Sequence, residues 1–120
     1  MKRTIDINGS PMEFEAVATT DYMIEAVFGI RMQQALNNSK EGEYADLVQK
    51  LAFIMNRRAV LGSWKQVNQL TTEDFMDWLD KIDSYALIQE GIAKEIMSVY
   101  AGSKQTKVVP KNMNSPQSGS

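Results

Sequence analysis

One stretch of sequence, residues 44–59, constrains the fold more than any other. Its apolar side chains recur at spacings of three and four residues, which places them along one side of an α-helix. Phe53 lies off this stripe, so the apolar surface covers more than half of the helix. Because a helix with so broad an apolar surface needs neighbours on two sides, the sequence predicts a central helix surrounded by other elements.

Charged side chains are placed to support this helix. Asp46 and Lys50 are four residues apart, in the acid-then-base order that favours an ion pair on a helix surface. Arg57 and Arg58 stand at its end, where positive charge complements the helix dipole. Phosphate binding by the two arginines is the alternative, but the sequence has no glycine-rich phosphate loop.

The N-terminal residues predict a β-hairpin. Residues 4–7 and 12–16 each alternate between apolar and polar side chains, the pattern of a strand with one buried face. Asn8 and Gly9 stand between them, and Asn-Gly supplies the positive φ angles that tight hairpin turns require. A lone hairpin is marginally stable in water, so we expect it to lie on helices or to pair with strands of another chain.

The rest of the chain predicts further helices and a tail. Gly29 and Gly62 interrupt the helical pattern, and Asp83 with Ser84 is expected to cap a last helix that ends at Gly102. The predicted fold class is α+β, mostly α, with an N-terminal β-hairpin followed by a bundle of four to five helices. Residues 1–102 are predicted to form one domain. Residues 103–120 are polar and aperiodic, and we expect them to be disordered.

The residue composition excludes several classes of function. The 120 residues include no cysteine and no histidine, which excludes disulfides, thiolate nucleophiles and CxxC zinc sites. The net charge of −2 gives no electrostatic case for a nucleic-acid partner, and no apolar run is long enough to span a bilayer. Because the N-terminus is polar and resembles no signal peptide, we expect a cytoplasmic location. We expect no cofactor and no enzymatic activity.

Acidic side chains near the C-terminal third leave a choice of roles. One role is binding of a divalent cation by paired carboxylates, as in a metal-dependent enzyme. The other is a solvated acidic helix face, which we prefer because there is no EF-hand spacing and no adjacent nucleophile. The acids concerned are Glu73, Asp74, Asp77, Asp80 and Asp83.

Methionine is abundant, with eight in 120 residues. Methionines fill irregular gaps in a core, and they also form adaptable surfaces that accept varied apolar helices. Both roles remain open at this point.

The order of elements resembles a known family. A TIDINGSPMEFEA hairpin precedes a helix carrying Phe28 and Gly29, and an LAFIM helix follows after a short polar gap. Next comes a helix with Phe75, Trp78-Leu79 and Ile82-Asp83 that leads into Ser84-Tyr85. This order, over residues 2–100, is similar to that of the tail assembly chaperones of long-tailed phages and prophages from Gram-positive bacteria.

The resemblance implies a non-enzymatic role in the host cytoplasm. Such chaperones bind and solubilise the helical tape measure protein, are displaced by the tail tube protein, and are absent from the mature virion. The family commonly makes a longer, frameshifted product that is thought to recruit the tube protein. Residues 109–111 are compatible with slippery codons for such a frameshift. A homo-oligomer is expected, because broad apolar helix faces and open hairpin edges suit assembly around a client.

Four large apolar residues are predicted to contact a client or another subunit. Phe28 precedes a break, Trp64 lies in a loop, and Met97 and Tyr100 lie near the end of the last helix. The alternative function is a phage structural or neck-region protein that remains in the virion.

Overall fold

The protein is an α+β fold in which an antiparallel hairpin precedes a group of helices. The computed structural model describes residues 1–103, where six α-helices follow the two strands and confirm the predicted fold class. Apart from Ser103, the predicted disordered tail lies outside the described residues, as do the candidate slippery codons at 109–111. The elements are β1 (Lys2–Ile7), β2 (Ser10–Glu15), α1 (Thr20–Phe28), α2 (Met32–Asn37), α3 (Glu43–Leu61), α4 (Trp64–Val67), α5 (Thr72–Lys81), a 3-10 turn (Ala86–Ile88) and α6 (Glu90–Gly102).

The hairpin forms as the sequence predicts. Asn8 and Gly9 occupy its turn with φ angles of 52° and 93°. The strands pair with Ile5 opposite Met12, and both Ile5 and Phe14 are buried. Because α3 packs against β2 and α6 against both strands, the apolar face of the hairpin is covered by helices.

Helix α3 is central, as predicted. Residues 51–56 are all buried, so this part of the helix has neighbours on every side. The predicted ion pair is present, with 2.9 Å between Asp46 Oδ2 and Lys50 Nζ. The apolar stripe begins one turn later than predicted, because Tyr44 in the first turn is 43% exposed. Gly62 ends the helix with a φ of 81°, a left-handed conformation that suits glycine.

Aromatic rings hold α1 and α5 against α3. The Phe53 ring on α3 meets the rings of Phe28, Phe75 and Trp78 edge-on, at centroid distances of 6.1, 5.3 and 5.3 Å. Phe28 and Phe75 also meet each other at 5.1 Å. Each such pair contributes about 0.5–1.5 kcal/mol beyond the burial of its surface. The cluster therefore fixes where α5 lies relative to the central helix.

Both glycine interruptions are real breaks. Gly29 ends α1 with a φ of 71° and donates its backbone N–H to the Glu25 carbonyl oxygen at 2.8 Å. After Gly62 the chain forms α4, where the sequence indicated a loop. Ser63 Oγ caps this single turn by accepting from Lys65 N at 3.1 Å, and the buried Val67 anchors it to the core.

The predicted start of the last helix is wrong. Ser84 and Tyr85 do not begin it; a 3-10 turn follows them, and α6 starts at Glu90. The Ser84 carbonyl oxygen accepts from Leu87 N at 3.3 Å and from Gln49 Nε2 at 3.0 Å. α3 therefore contacts the chain at this turn, and Leu87 within the turn is fully buried.

Candidate partner-binding site

A groove runs along one side of α5, between this helix, α3 and the hairpin. It consists of two adjoining depressions of about 400 and 250 Å³, which share Met12, Lys81 and Ile82. We call it the α5 groove. Its apolar lining is Ile7, Met12, Phe53, Leu70, Trp78 and Ile82, and its charged lining is Arg57, Asp74, Asp77, Lys81 and Asp83.

The floor of the groove combines fixed and adaptable side chains. Phe53 and Trp78 are buried, with ring centroids 5.3 Å apart, so their positions are set by the core. Met12 reaches the groove from β2 and is only half-buried. Its unbranched thioether can change rotamer to follow the shape of a bound group. The groove therefore suits an apolar partner segment whose side chains vary.

Asn56 holds the three walls of the groove together. Its amide Nδ2 donates to the Glu13 carbonyl oxygen on β2 at 2.9 Å. Its Oδ1 accepts from the Trp78 indole N–H on α5 at 3.0 Å and from Arg57 Nη2 at 2.9 Å. The side chain is 3% exposed, and both its donor and its acceptor are used. One neutral group thus ties the hairpin, α3 and α5 to a fixed geometry.

Charges of both signs surround the groove. Burial lowers the pKa of the Arg57 guanidinium from its ordinary value. Asp74 accepts from Thr71 N at 2.8 Å and caps α5, so its position is set by the helix start. At the far end, Asn8 Nδ2 donates to Asp83 Oδ2 at 2.6 Å and links the hairpin turn to the residues after α5.

The four residues chosen from the sequence do not form one site. Phe28 is half-buried in the aromatic cluster, and Met97 is half-buried against the core. Trp64 is 47% exposed at the start of α4, which leaves it available to a partner. Tyr100 is 4% exposed and therefore belongs to the core. None of the four lines the α5 groove.

Tyr100 instead joins the two ends of the helical part. Its hydroxyl donates to Asp21 Oδ1 on α1 at 2.7 Å. Burial and this hydrogen bond raise the pKa of Tyr100 well above its ordinary value of 10.0. Asp21 also lines an open depression of about 540 Å³ between α1 and α2, whose other residues include Tyr22, Glu25 and Arg31. Five of its eight lining residues are charged or glutamine, and it lacks the buried aromatic floor of the α5 groove.

The predicted acidic cluster is spread over an exposed surface. Glu73, Asp77 and Asp80 are exposed on α5, while Asp74 and Asp83 take part in the contacts described above. Within residues 1–103, no three acidic side chains come close enough together to hold a metal ion. The same residues include no helix that is both long and apolar enough to cross a membrane.

Comparisons with known proteins identify no relative. No family model, no curated protein and no solved structure matches this chain. Its own geometry therefore carries the functional argument.

The groove residues were missed because each has an ordinary role in its own element. Met12 continues the apolar face of a strand, and Trp78 and Ile82 continue the apolar stripe of a helix. The gap beside these residues arises from the position of α5 against α3. Asn56 did carry a signal, since it follows directly on the apolar run 51–55 in a helix predicted to be covered on two sides.

Proposed function

We propose that this protein is a tail assembly chaperone of a long-tailed phage or prophage. In this role it binds the helical tape measure protein before the tail tube polymerises around it. The observation that carries the proposal is the α5 groove, with its aromatic floor and half-buried methionine. An elongated client exposes apolar stripes until the tube encloses them, and a groove that covers such a stripe keeps the client from aggregating.

The dimensions of the groove suit a short section of a helix. α5 has ten residues, which corresponds to about 15 Å at 1.5 Å per residue. A client helix beside it would place roughly three apolar side chains in the groove, at i, i+3 or i+4, and i+7. Met12 would adjust to successive segments, since a tape measure protein offers many similar but not identical stripes.

The charged rim supports reversible binding. Arg57 and Lys81 provide positive charge, and Asp74 and Asp77 provide negative charge, around a small apolar contact. Rim charges affect orientation and association rate more than affinity. A short apolar contact with such a rim would release the client readily. Release fits the proposed displacement of the chaperone by the tail tube protein.

The rest of the proposal concerns where and with what the protein acts. It works in the host cytoplasm as a homo-oligomer, needs no cofactor and makes no covalent bond. A longer product, made by frameshifting, would recruit the tail tube protein. The mature virion would lack the chaperone.

Two methionine variants test the groove. Met12→Lys puts a charge into it, and we expect about tenfold less tape measure fragment in a co-expression pull-down, since a charge opposing an apolar contact costs about 1–2 kcal/mol. Met76→Lys is the matched control, because Met76 is 57% exposed on α5 and does not line the groove. Equal capture by the two variants would contradict the assignment of this groove.

Trp64→Ala in the same assay tests the exposed indole chosen from the sequence. Loss of capture would add a second contact outside the groove. Mass spectrometry of purified virions addresses the alternative of a structural or neck-region protein. A chaperone is expected to be missing from the particles, whereas detection at stoichiometric amounts would favour the alternative.

A further inference from the structure

The register of the hairpin shows which backbone groups point outward from each of its two outer edges. Met1 and Ala16 exchange both backbone hydrogen bonds, at 2.8 Å from Ala16 N and at 2.6 Å from Met1 N. In an antiparallel pair such positions alternate with positions whose N–H and C=O groups point away from the partner strand. Following the register along the strands, the outward groups are those of Lys2, Thr4 and Asp6 on β1, and of Pro11, Glu13 and Glu15 on β2.

The β2 edge is closed to a further strand. Pro11 has no backbone N–H, so it cannot donate to a neighbour. The outward carbonyl oxygen of Glu13 accepts from Asn56 Nδ2 at 2.9 Å. Both features block strand addition at this edge.

In the part of the chain that the structure describes, the β1 edge has no further strand beside it. Among residues 1–103, no backbone hydrogen bond beyond the hairpin reaches the outward groups of Lys2, Thr4 or Asp6. The side chains of all three are exposed. Among the described residues, the Asp6 carboxylate bonds within the hairpin, where it accepts from Gly9 N at 3.1 Å. An edge strand of six residues without proline or bulge is a ready template for another strand.

We propose that β1 pairs antiparallel with β1 of a second copy of this chain, with Thr4 of each copy on the two-fold axis. The sequence of the edge is self-complementary in this register. Lys2 faces Asp6 of the second copy and Asp6 faces its Lys2, so opposite charges stand directly across from one another twice. Cross-strand pairs of opposite charge stabilise a sheet, and like charges in the same places destabilise it.

Other registers fit less well. A shift of two residues leaves two facing pairs instead of three, and it puts Thr4 opposite Lys2 or Asp6. The pairing with Thr4 on the axis therefore forms the most backbone hydrogen bonds and alone matches the charges. Lys2 Nζ already lies 4.0 Å from Glu13 Oε1 on the exposed face, and the carboxylate of Asp6 would add a second acidic neighbour.

The pairing builds a four-stranded sheet in the order β2-β1-β1-β2. Its two outer edges are the closed β2 edges, so the assembly stops at two copies. α6 contacts both strands of its own hairpin. With strands about 4.8 Å apart, we expect the two α6 helices to lie about 10 Å apart beneath the sheet, the usual distance between packed helices.

This pairing rests on the proposed function, because it would be the interface of the homo-oligomer expected of the chaperone. Its test uses no client, so the β1 pairing and the chaperone function can each fail independently. The chain has no cysteine, so Thr4→Cys introduces a single thiol. At the axis, the two thiols would stand on facing Cα atoms about 5.5 Å apart, within the range of a disulfide. We expect mild oxidation of the full chain to give a covalent dimer.

Glu13→Cys is the matched control, because Glu13 lies directly opposite Thr4 in the hairpin and is also exposed. In the proposed sheet the two Glu13 positions are three strand spacings apart, about 14 Å, too far for a disulfide. Cross-linking of Thr4→Cys no faster than that of Glu13→Cys would overturn the proposal.

A charge exchange tests the register. Lys2→Glu places like charges opposite each other twice, and we expect the dimer dissociation constant from analytical ultracentrifugation to rise about tenfold. Adding Asp6→Lys exchanges the charges and should restore dimerisation. Asp6→Lys cannot restore the contact between Lys2 and Glu13 within one chain, so recovery of dimerisation would report on the pairing between two chains. A double variant as weak as Lys2→Glu alone would therefore overturn this register.

Discussion

Two polar contacts join distant parts of the chain, and they differ in enclosure and charge. Asn56 is a neutral amide, 3% exposed, that reaches Glu13 and Trp78, which lie 43 and 22 residues away. The Tyr100 hydroxyl reaches Asp21, which lies 79 residues away and is half-exposed. The first contact holds the walls of the α5 groove, and the second ties α6 to α1.

The difference predicts how each contact responds to change. If Asn56 is removed, the buried indole N–H of Trp78 has no water to replace its acceptor. If the Tyr100 hydroxyl is removed, water can still reach the carboxylate of Asp21. The Asn56 contact should therefore contribute more to stability, and the Tyr100 contact should be the one that depends on pH.

The largest effect is expected from Asn56→Ala. The variant leaves a buried donor unsatisfied and a small cavity, and it should lower the free energy of unfolding by about 2–3 kcal/mol. Urea denaturation followed by circular dichroism measures the change. Asn68→Ala is the matched control, because the amide oxygen of Asn68 is buried with no hydrogen-bond partner among residues 1–103. If the two variants lost the same stability, Asn56 would not have the role assigned to it.

A smaller effect is expected from Tyr100→Phe. The phenyl ring keeps the packing of α6 while the hydrogen bond to Asp21 is lost, so the free energy of unfolding should fall by about 1 kcal/mol. Tyr22→Phe serves as the control, because Tyr22 is 72% exposed and should be neutral. A loss for Tyr100→Phe as large as that for Asn56→Ala would remove the distinction between the two contacts.

Local patterns predict the elements of this fold better than they predict its contacts. The turn at Asn8 and Gly9 and the stripe of α3 follow from spacing alone, since each depends on neighbouring residues. Ser84 shows the limit of such patterns. It resembles a helix start, but its carbonyl oxygen accepts from Leu87 N within a 3-10 turn and from Gln49 of α3, a contact that no local pattern contains.

The candidate site was harder to predict for the same reason. The sequence predicts Trp64 as a contact residue because it is large, apolar and outside the predicted helices, and its side chain is exposed. Similar reasoning predicts Tyr100, but its hydroxyl has a partner 79 residues away and the side chain is buried. The α5 groove depends on the position of one helix against another, and aromatic contacts between distant residues set that position.

The smallest effect, and the sharpest test of the comparison, is the pH dependence. The pKa of Tyr100 is raised in the folded state, so near pH 10 the folded state binds more protons than the unfolded state. Stability from this group is thus fully present below its unfolded pKa and is lost as the pH rises from about 10 toward the folded pKa.

The stability difference between the natural chain and Tyr100→Phe should shrink above pH 10. The difference from Asn56→Ala should stay constant, because an amide does not titrate. Urea denaturation at pH 8, 9, 10 and 10.5 measures both differences, and a Tyr100→Phe difference that did not change over this range would show that the hydroxyl is not held as described.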